Sequence, residues 1–243
     1  MLKAGILIAG SLYWSDKAHR VRWRRDHLKP RSEISVALPI RYGRLSSTGS
    51  YTMVFAPGCP LGKAKIVECV RAVETFDDLV AEAQALWLAE SPDGSSRRAS
   101  ETLASDWGCV VLLANPASPL PAGLLDAWAA RVARERHHKT MARSYDRSKY
   151  CVKGASAITD RGTLEIAWPV RSDTGEAISS IDLLLAAATK PTAGAGDYPT
   201  AEQIAAAWIA TENDQYFREN RNNGFYTFQD KDIAKHLCRS PQL

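Results

Sequence analysis

The stretch Ala4-Gly-Ile-Leu-Ile-Ala-Gly10 is the starting point for predicting the fold of this chain. It is short, apolar and rich in isoleucine, and Gly10-Ser11 closes it, which is the pattern of a buried strand followed by a turn. The apolar run is too short to span a bilayer, and no small-residue cleavage site follows it. We therefore predict a first buried strand here and not a signal peptide.

A helix and three β-prone runs are predicted after this strand. The helix covers about Asp16–Leu28, with Ser15 as its N-cap and an arginine-rich surface. The β-prone runs are Ile34–Arg41, Tyr51–Ala56 and Lys63–Val70. The connectors between them are short and rich in turn-forming residues, which favours antiparallel pairing.

The clearest helical signal in the chain begins at Thr75, which has the character of an N-cap. Apolar residues then recur at the i, i+3, i+4 and i+7 spacing of one helix face, namely Phe76, Leu79, Val80, Ala83, Leu86 and Trp87. This spacing predicts a helix that packs on a sheet.

The remainder of the chain adds strands and helices in mixed order. Predicted strands are Cys109–Ala114, Thr163–Val170 and Ile181–Ala188, and predicted helices lie around Leu124–Val132, after Thr200 and at Asp230–Cys238. Arg143–Asp160 has no clear pattern and is predicted to be a loop. We therefore predict one α+β domain over residues 1–243, with a mixed, partly antiparallel sheet or a small barrel and packed helices. Residues 1–90 would form its core, which residues 91–243 complete or extend.

Composition excludes several classes of protein. The chain has 243 residues, of which 45% are hydrophobic and 24% charged, as in ordinary folded proteins and unlike disordered or fibrous ones. Its five cysteines are irregularly spaced, so we expect reduced thiols, a cytoplasmic location, no metal site and no cofactor. The oligomeric state cannot be predicted from the sequence.

Positive charge is concentrated in two stretches. Residues 1–50 contain ten Lys or Arg against three Asp or Glu, and a second basic stretch runs from Arg131 to Lys153. If the fold brings these stretches together, they form a face that attracts nucleic acid or another polyanion. Two separately solvated helix surfaces are the alternative.

The end of the first strand is the most suggestive place for a binding site. Glycine at such a turn lets backbone N–H groups approach an anion, so Gly10, Ser11, Leu12 and Tyr13 are candidate binding residues. Arg41 and Arg44 flank a second glycine turn and could hold a carboxylate or phosphate. Simple structural turns are the alternative for both segments.

The first third of the chain resembles the gamma-glutamylcyclotransferase-like proteins. The similarity covers about residues 4–90 and rests on Gly10-Ser-Leu12 after the first strand, Arg41-Tyr-Gly-Arg-Leu-Ser-Ser47, and the strand Tyr51-Thr-Met-Val-Phe-Ala-Pro57. Ala9 stands where the family has tyrosine. The resemblance implies that the loop around Gly10 holds the glutamyl group of a small substrate and that one glutamate moves a proton during ring closure.

Three glutamates could supply that carboxylate. Glu82 flanks the apolar face of the predicted helix after Thr75 and is our candidate catalytic residue, with Glu68 and Glu90 as alternatives. The sequence thus predicts a cyclotransferase-like enzyme, or a diverged relative, that acts on a gamma-glutamyl or other carboxylate-bearing substrate. A protein that binds nucleic acid through the two basic stretches is the competing hypothesis.

Overall fold

A computed structural model of the chain describes residues 1–91, 102–137, 144–193 and 196–239. The strands are β1 (Ala4–Ile8), β2 (Ile34–Leu38), β3 (Ile40–Leu45), β4 (Tyr51–Phe55), β5 (Gly62–Glu68), β6 (Ala104–Ser105), β7 (Gly108–Ala114), β8 (Cys151–Val152), β9 (Ala155–Ser156), β10 (Val170–Arg171) and β11 (Leu183–Thr189). The helices are α1 (Ser11–Trp14), α2 (Ala18–His27), α3 (Phe76–Glu90), α4 (Leu124–His137), α5 (Ala201–Ala210), α6 (Gln215–Asn222) and α7 (Asp230–Arg239).

Seven of these strands form one mixed sheet in the order β10-β2-β5-β1-β11-β7-β6. Only the β1–β11 pair is parallel, and the other neighbours in this sheet are antiparallel. β3 and β4 form a separate hairpin, as do β8 and β9. The structure confirms the predicted α+β class, and of the two predicted forms it has the open mixed sheet.

β1 lies inside the sheet, between β5 and β11. All five of its residues are buried, and Ile6 pairs with Val67 on one side and Leu185 on the other. Unbroken burial along a strand means that both faces of the sheet are covered. The structure therefore confirms the predicted buried strand, and its carboxyl end opens into the loop at Gly10.

Proline divides one predicted strand into two. The run Ile34–Arg41 is not continuous, because β2 ends at Leu38 and β3 begins at Ile40. Pro39 has no N–H group and cannot continue the ladder of a sheet interior. The break moves β3 into its own hairpin with β4, where the ring of Tyr42 lies 5.1 Å from that of Trp208 in α5.

The prediction for α3 is confirmed, except that Phe76 and Val80 on the predicted face are only half-buried. Thr75 accepts a hydrogen bond from the backbone of Asp78, and the carboxylate of Asp78 accepts one from the backbone of Thr75, which completes a capping box. Leu79, Ala83, Leu86 and Trp87 are buried on the predicted face. α3 contacts α2 on one side and the strands β7 and β11 on the other, so its C-terminal end reaches the neighbourhood of the Gly10 loop.

Three local predictions are wrong. Ser15 does not cap α2, because the N-cap is Lys17 and no side chain provides the bond. Thr163–Val170 is not one strand, because Thr163 and Leu164 form only isolated bridges and Val170 alone belongs to a strand, β10. The described part of the predicted loop 143–160, which begins at residue 144, contains a 3-10 turn at Arg147–Tyr150 and the β8–β9 hairpin. Local side-chain bonds such as that from Ser148 N to Asp146 stabilise this turn.

Two further observations bear on the class of protein. Over the described ranges, no helix is both long enough and apolar enough to cross a membrane. The five cysteines are free.

We expect the cysteines to differ strongly in reactivity. Burial raises the pKa of Cys69 above its usual range and that of Cys109 to about 12, whereas Cys238 is exposed. Because the thiolate is the reactive species, iodoacetamide at pH 8 should modify Cys238 and leave Cys69 and Cys109 intact in the native protein. Peptide mass mapping measures this, and denatured protein, in which all three react, is the control. Rapid native labelling of Cys69 would contradict the described core.

Candidate anion-binding site at the end of the first strand

The loop after β1 is shaped by Gly10. Its backbone angles are φ 132° and ψ −136°, a combination that residues with a side chain rarely adopt. A Cβ atom at Gly10 would lie 2.2 Å from the hydroxyl oxygen of Tyr216, so only glycine fits. The hydroxyl of Tyr216, which α6 carries, therefore lies directly against the loop.

Ser11, Arg20 and Glu90 form a connected polar chain beside this loop. Arg20 donates from Nη1 to Oγ of Ser11 at 2.9 Å, from Nη2 to Oε2 of Glu90 at 2.9 Å and from Nε to the carbonyl of Ala89 at 3.1 Å. The side chains of Arg20 and Glu90 are only 12% and 19% exposed. Poor access to water strengthens such charged hydrogen bonds and fixes their geometry.

Arg24 adds a second guanidinium group to the loop. Arg24 donates to the carbonyls of Leu12 at 2.8 Å and Ser15 at 2.6 Å. Burial lowers the pKa of Arg24, and the positive charge of Arg20 lowers it further. Positive charge therefore accumulates at this end of β1.

A third partly buried guanidinium, that of Arg44, comes from β3. Its guanidinium lies 5.0 Å from the ring centre of Trp107. Burial lowers the pKa of Arg44, and the negative charge of Glu90 opposes that shift. The ring of Trp107 in turn stacks on that of Trp87 in α3 at 4.7 Å, three residues before Glu90. Within the described residues, Arg44 has no ion-pair partner within 4.0 Å. Arg20, Arg24 and Arg44 thus provide three positive groups against the one carboxylate of Glu90, and Arg44 is available to an anion.

Glu82, the candidate catalytic residue, has different surroundings. Its Oε2 lies 2.9 Å from Nδ1 of His27, and its carboxylate is buried. Its negative charge adds to burial in raising the pKa of the Cys69 thiol. Glu82 and Glu90 are eight residues apart on α3, or about 12 Å along its axis. Glu90 is the carboxylate that the structure places beside Ser11, through Arg20.

The remaining candidates are Leu12 and Tyr13 of the loop and the glutamate Glu68, and each has different surroundings. Leu12 is buried. Tyr13 donates from its hydroxyl to Glu33 at 3.3 Å, and its ring lies 3.8 Å from the ammonium of Lys65. Glu68, the third glutamate considered, is 3.2 Å from the ammonium of Lys29.

Arg41 and Arg44 are only three positions apart on β3, but their side chains contact different residues. Arg41 packs against the ring of Tyr198 at 4.4 Å and donates to the carbonyl of Pro199 at 3.1 Å. The pairing of β3 with β4 is irregular between Tyr42 and Arg44, which changes the direction of the side chains that follow. Arg44 lies over Trp107, whereas Arg41 lies against the segment that precedes α5.

Three contributors to the site were not predicted from the sequence. Arg20 and Arg24 were part of a generally basic stretch, without separate roles. Their spacing of four residues, which places both on one face of α2, is the signal that could have selected them. Tyr216 had no comparable signal, because its position at Gly10 depends on packing between the two ends of the chain.

Several of the positive side chains in the two basic stretches are paired with carboxylates of the same chain. Within the part of the chain that is described, six Lys or Arg residues of these stretches form ion pairs with carboxylates, namely Arg20–Glu90, Arg25–Asp26, Lys29–Glu68, Arg131–Glu135, Arg147–Glu165 and Lys153–Asp197. Residues 138–143 of the second stretch lie outside the described ranges. Internal pairing reduces the positive charge that a polyanion would meet.

Neither a metal cluster nor a known relative defines the site. Among the described residues, no group of three or more His, Cys, Asp or Glu side chains could hold a metal ion. Function therefore has to be inferred from the chemistry of the site itself. No protein-family model, no curated protein and no solved structure matches this chain.

Proposed function

We propose that the chain binds a small carboxylate-bearing molecule at the Gly10 loop and acts on it as a gamma-glutamylcyclotransferase-like enzyme. The observation that carries this proposal is the connected chain of Ser11, Arg20 and Glu90 at the end of β1. The guanidinium of Arg44 lies over Trp107, which stacks on Trp87 of the same helix as Glu90. The arrangement combines positive groups that attract an anion with one carboxylate that can accept a proton.

Arg44 is the group that we assign to the carboxylate of the substrate. A guanidinium presents parallel N–H donors that match the two oxygens of a carboxylate. The described part of the chain supplies no carboxylate within 4.0 Å of Arg44, whereas Arg20 is already committed to Glu90. The indole of Trp107 supports one face of the Arg44 guanidinium and leaves its edge to the ligand.

Glu90 is the group that we assign to proton transfer. In ring closure, the α-amine of a gamma-glutamyl group attacks the γ-carbonyl carbon, and the bond from that carbon to the departing nitrogen breaks. The attacking nitrogen loses a proton and the departing amine gains one, so a single carboxylate can accept the first and return it. Arg20 holds Oε2 of Glu90, and within the described residues Oε1 has no hydrogen-bond partner, which leaves it for this step.

Binding measurements on two arginine variants test the assignment of Arg44. Arg44→Met should weaken binding of a gamma-glutamyl dipeptide at least tenfold, since hydrogen bonds to a charged group contribute about 1.5–3 kcal/mol. Isothermal titration calorimetry measures this loss. Arg41→Met is the matched control, because it removes a guanidinium from the same strand but from another environment. Equal weakening by both variants would contradict the role of Arg44.

A further inference from the structure

The segment between α6 and α7 places two aromatic side chains on the surface. Tyr226 and Phe228 are 39% and 40% exposed, and among the described residues no other aromatic side chain is as exposed. Phe225 and Thr227, which alternate with them, are buried. Such alternation is typical of an extended strand, so the two exposed rings lie on the same side of the segment. Two residues span at most about 7 Å, so the rings are near neighbours.

Contacts with the rest of the fold hold both rings in place. The backbone of Tyr226 exchanges two hydrogen bonds with that of Lys63 in β5, at 2.7 and 3.1 Å. The hydroxyl of Tyr226 donates to the carbonyl of Arg221 at 3.2 Å, at the end of α6. The ring centre of Phe228 lies 5.3 Å from the guanidinium of Arg41. The rings therefore need little reorganisation to receive a flat ligand.

A surface depression of about 290 Å³ adjoins Tyr226. α6 lines the rest of it with Phe217, Arg218, Arg221 and Asn222. The guanidinium of Arg221 lies 5.4 Å from the ring centre of Phe217. The depression thus combines aromatic surface with guanidinium groups and one amide.

The positive charge at this surface is available to a ligand. Among the described residues, neither Arg221 nor Lys63 has an ion-pair partner within 4.0 Å. The carboxylate of Asp214 is already paired with Arg218 at 2.9 Å, and Asp230 is only 7% exposed. Exposed rings with free cations beside them suit a ligand that carries both flat faces and negative charge.

We propose that this surface binds single-stranded nucleic acid. We name it the stacking surface and define it by Tyr226, Phe228, Arg221 and Lys63. Bases stack on the two rings, and Arg221 and Lys63 contact phosphates, which is how proteins bind single strands without sequence readout. Two neighbouring rings suit successive bases of one strand better than a single nucleotide. Binding here does not depend on the reaction proposed at the Gly10 loop.

Fluorescence anisotropy with labelled oligonucleotides tests the role of the rings. The probes are strands of about 12 deoxythymidines or uridines, a length that one such surface accommodates. At least one of them should bind at low salt, and a duplex of equal length, whose base faces are covered, should bind at least tenfold more weakly. Tyr226→Leu and Phe228→Leu should each weaken binding about fivefold or more, because leucine keeps apolar bulk but cannot stack. Unchanged affinity in both variants would overturn the proposal.

Two arginine variants test the role of charge. Arg221→Gln should weaken binding and lower the slope of log K against log salt by about one, because it removes one phosphate contact. Arg22→Gln is the matched control, since Arg22 is an exposed arginine of α2 without an ion pair among the described residues. It should retain the wild-type affinity. A loss in Arg22→Gln without one in Arg221→Gln would place binding on the first basic stretch and overturn the proposal.

Competition experiments separate a single strand from other ligands. Thymidine monophosphate and polyglutamate should each displace the bound strand much less effectively than an unlabelled strand does. Equal displacement by the nucleotide would identify a small-molecule site instead. Equal displacement by polyglutamate would identify a site for acidic peptides, and either result would overturn the proposal.

A measurement on the wild-type protein applies even if a variant does not fold. A strand that contains 5-iododeoxyuridine should cross-link on irradiation to the peptide that carries Tyr226 and Phe228, and mass spectrometry of the digest identifies that peptide. Cross-links confined to other peptides, or no binding of any single strand at low salt, would overturn the proposal.

Discussion

Gly10→Ala is expected to destabilise the protein by about 3 kcal/mol, because it combines backbone strain with a steric overlap. The backbone angles of Gly10 are ones that essentially only glycine adopts, and the new Cβ would lie 2.2 Å from the hydroxyl oxygen of Tyr216. Urea denaturation of the wild-type and variant proteins measures the change in the free energy of unfolding.

Gly58→Ala separates the two causes. Gly58 also has a positive φ, of 82°, but a Cβ there would meet nothing within 4 Å. Its replacement should therefore cost only about 1 kcal/mol, from strain alone. Equal losses at both positions would mean that Tyr216 does not occupy the space beside Gly10.

The hydroxyl of Tyr216 can also be removed. In a Tyr216→Phe background the shortest contact of the new Cβ becomes the ring carbon Cζ, at 3.2 Å. Gly10→Ala should then be less destabilising than in the wild-type background, by about 1 kcal/mol, since the two substitutions act on one contact. Simple additivity of the two losses would contradict the described packing of α6 on the loop.

Glu90→Gln is expected to lower turnover of a gamma-glutamyl substrate by about a hundredfold, because it preserves shape and removes the proton acceptor. The amide oxygen can still accept the hydrogen bond from Arg20, so the variant should fold and bind substrate. Steady-state kinetics should show the loss in kcat and little change in KM.

Glu82→Gln is the control for this experiment, because it changes a carboxylate of the same helix that faces His27. Its turnover should stay within about twofold of wild type, once the fraction of folded protein is taken into account. Loss of turnover in Glu82→Gln with full turnover in Glu90→Gln would return the catalytic role to Glu82.

The fold was predictable where short-range patterns determine structure. β1 is an uninterrupted apolar run, and α3 combines a capping residue with a strict apolar period, so both elements are determined by their own sequences. The prediction of one strand over Ile34–Arg41 is wrong at Pro39. The prediction followed the apolar residues of this run and did not allow for the N–H group that proline lacks. α6 was missed, since Asp214 provides no side-chain cap and the segment is rich in polar residues.

The site was only partly predictable, because its contacts are long-range. The position of Gly10 followed from the turn after β1, but the distinction between Glu82 and Glu90 depends on how α3 crosses α2. Arg20 bridges residues that are 9 and 70 positions away from it. No periodic pattern reports such contacts, so the arginines of α2 were indistinguishable in the sequence.

Release of 5-oxoproline by the wild-type protein is the most direct test of the proposed function. Purified protein would be incubated with a panel of gamma-glutamyl amines and gamma-glutamyl dipeptides, and the products separated and quantified. We expect 5-oxoproline and the free amine in equal amounts from at least one compound, at a rate proportional to protein concentration. If the folded protein releases no cyclised product from any of them, the assignment of Glu90 and the Gly10 loop to this reaction is wrong.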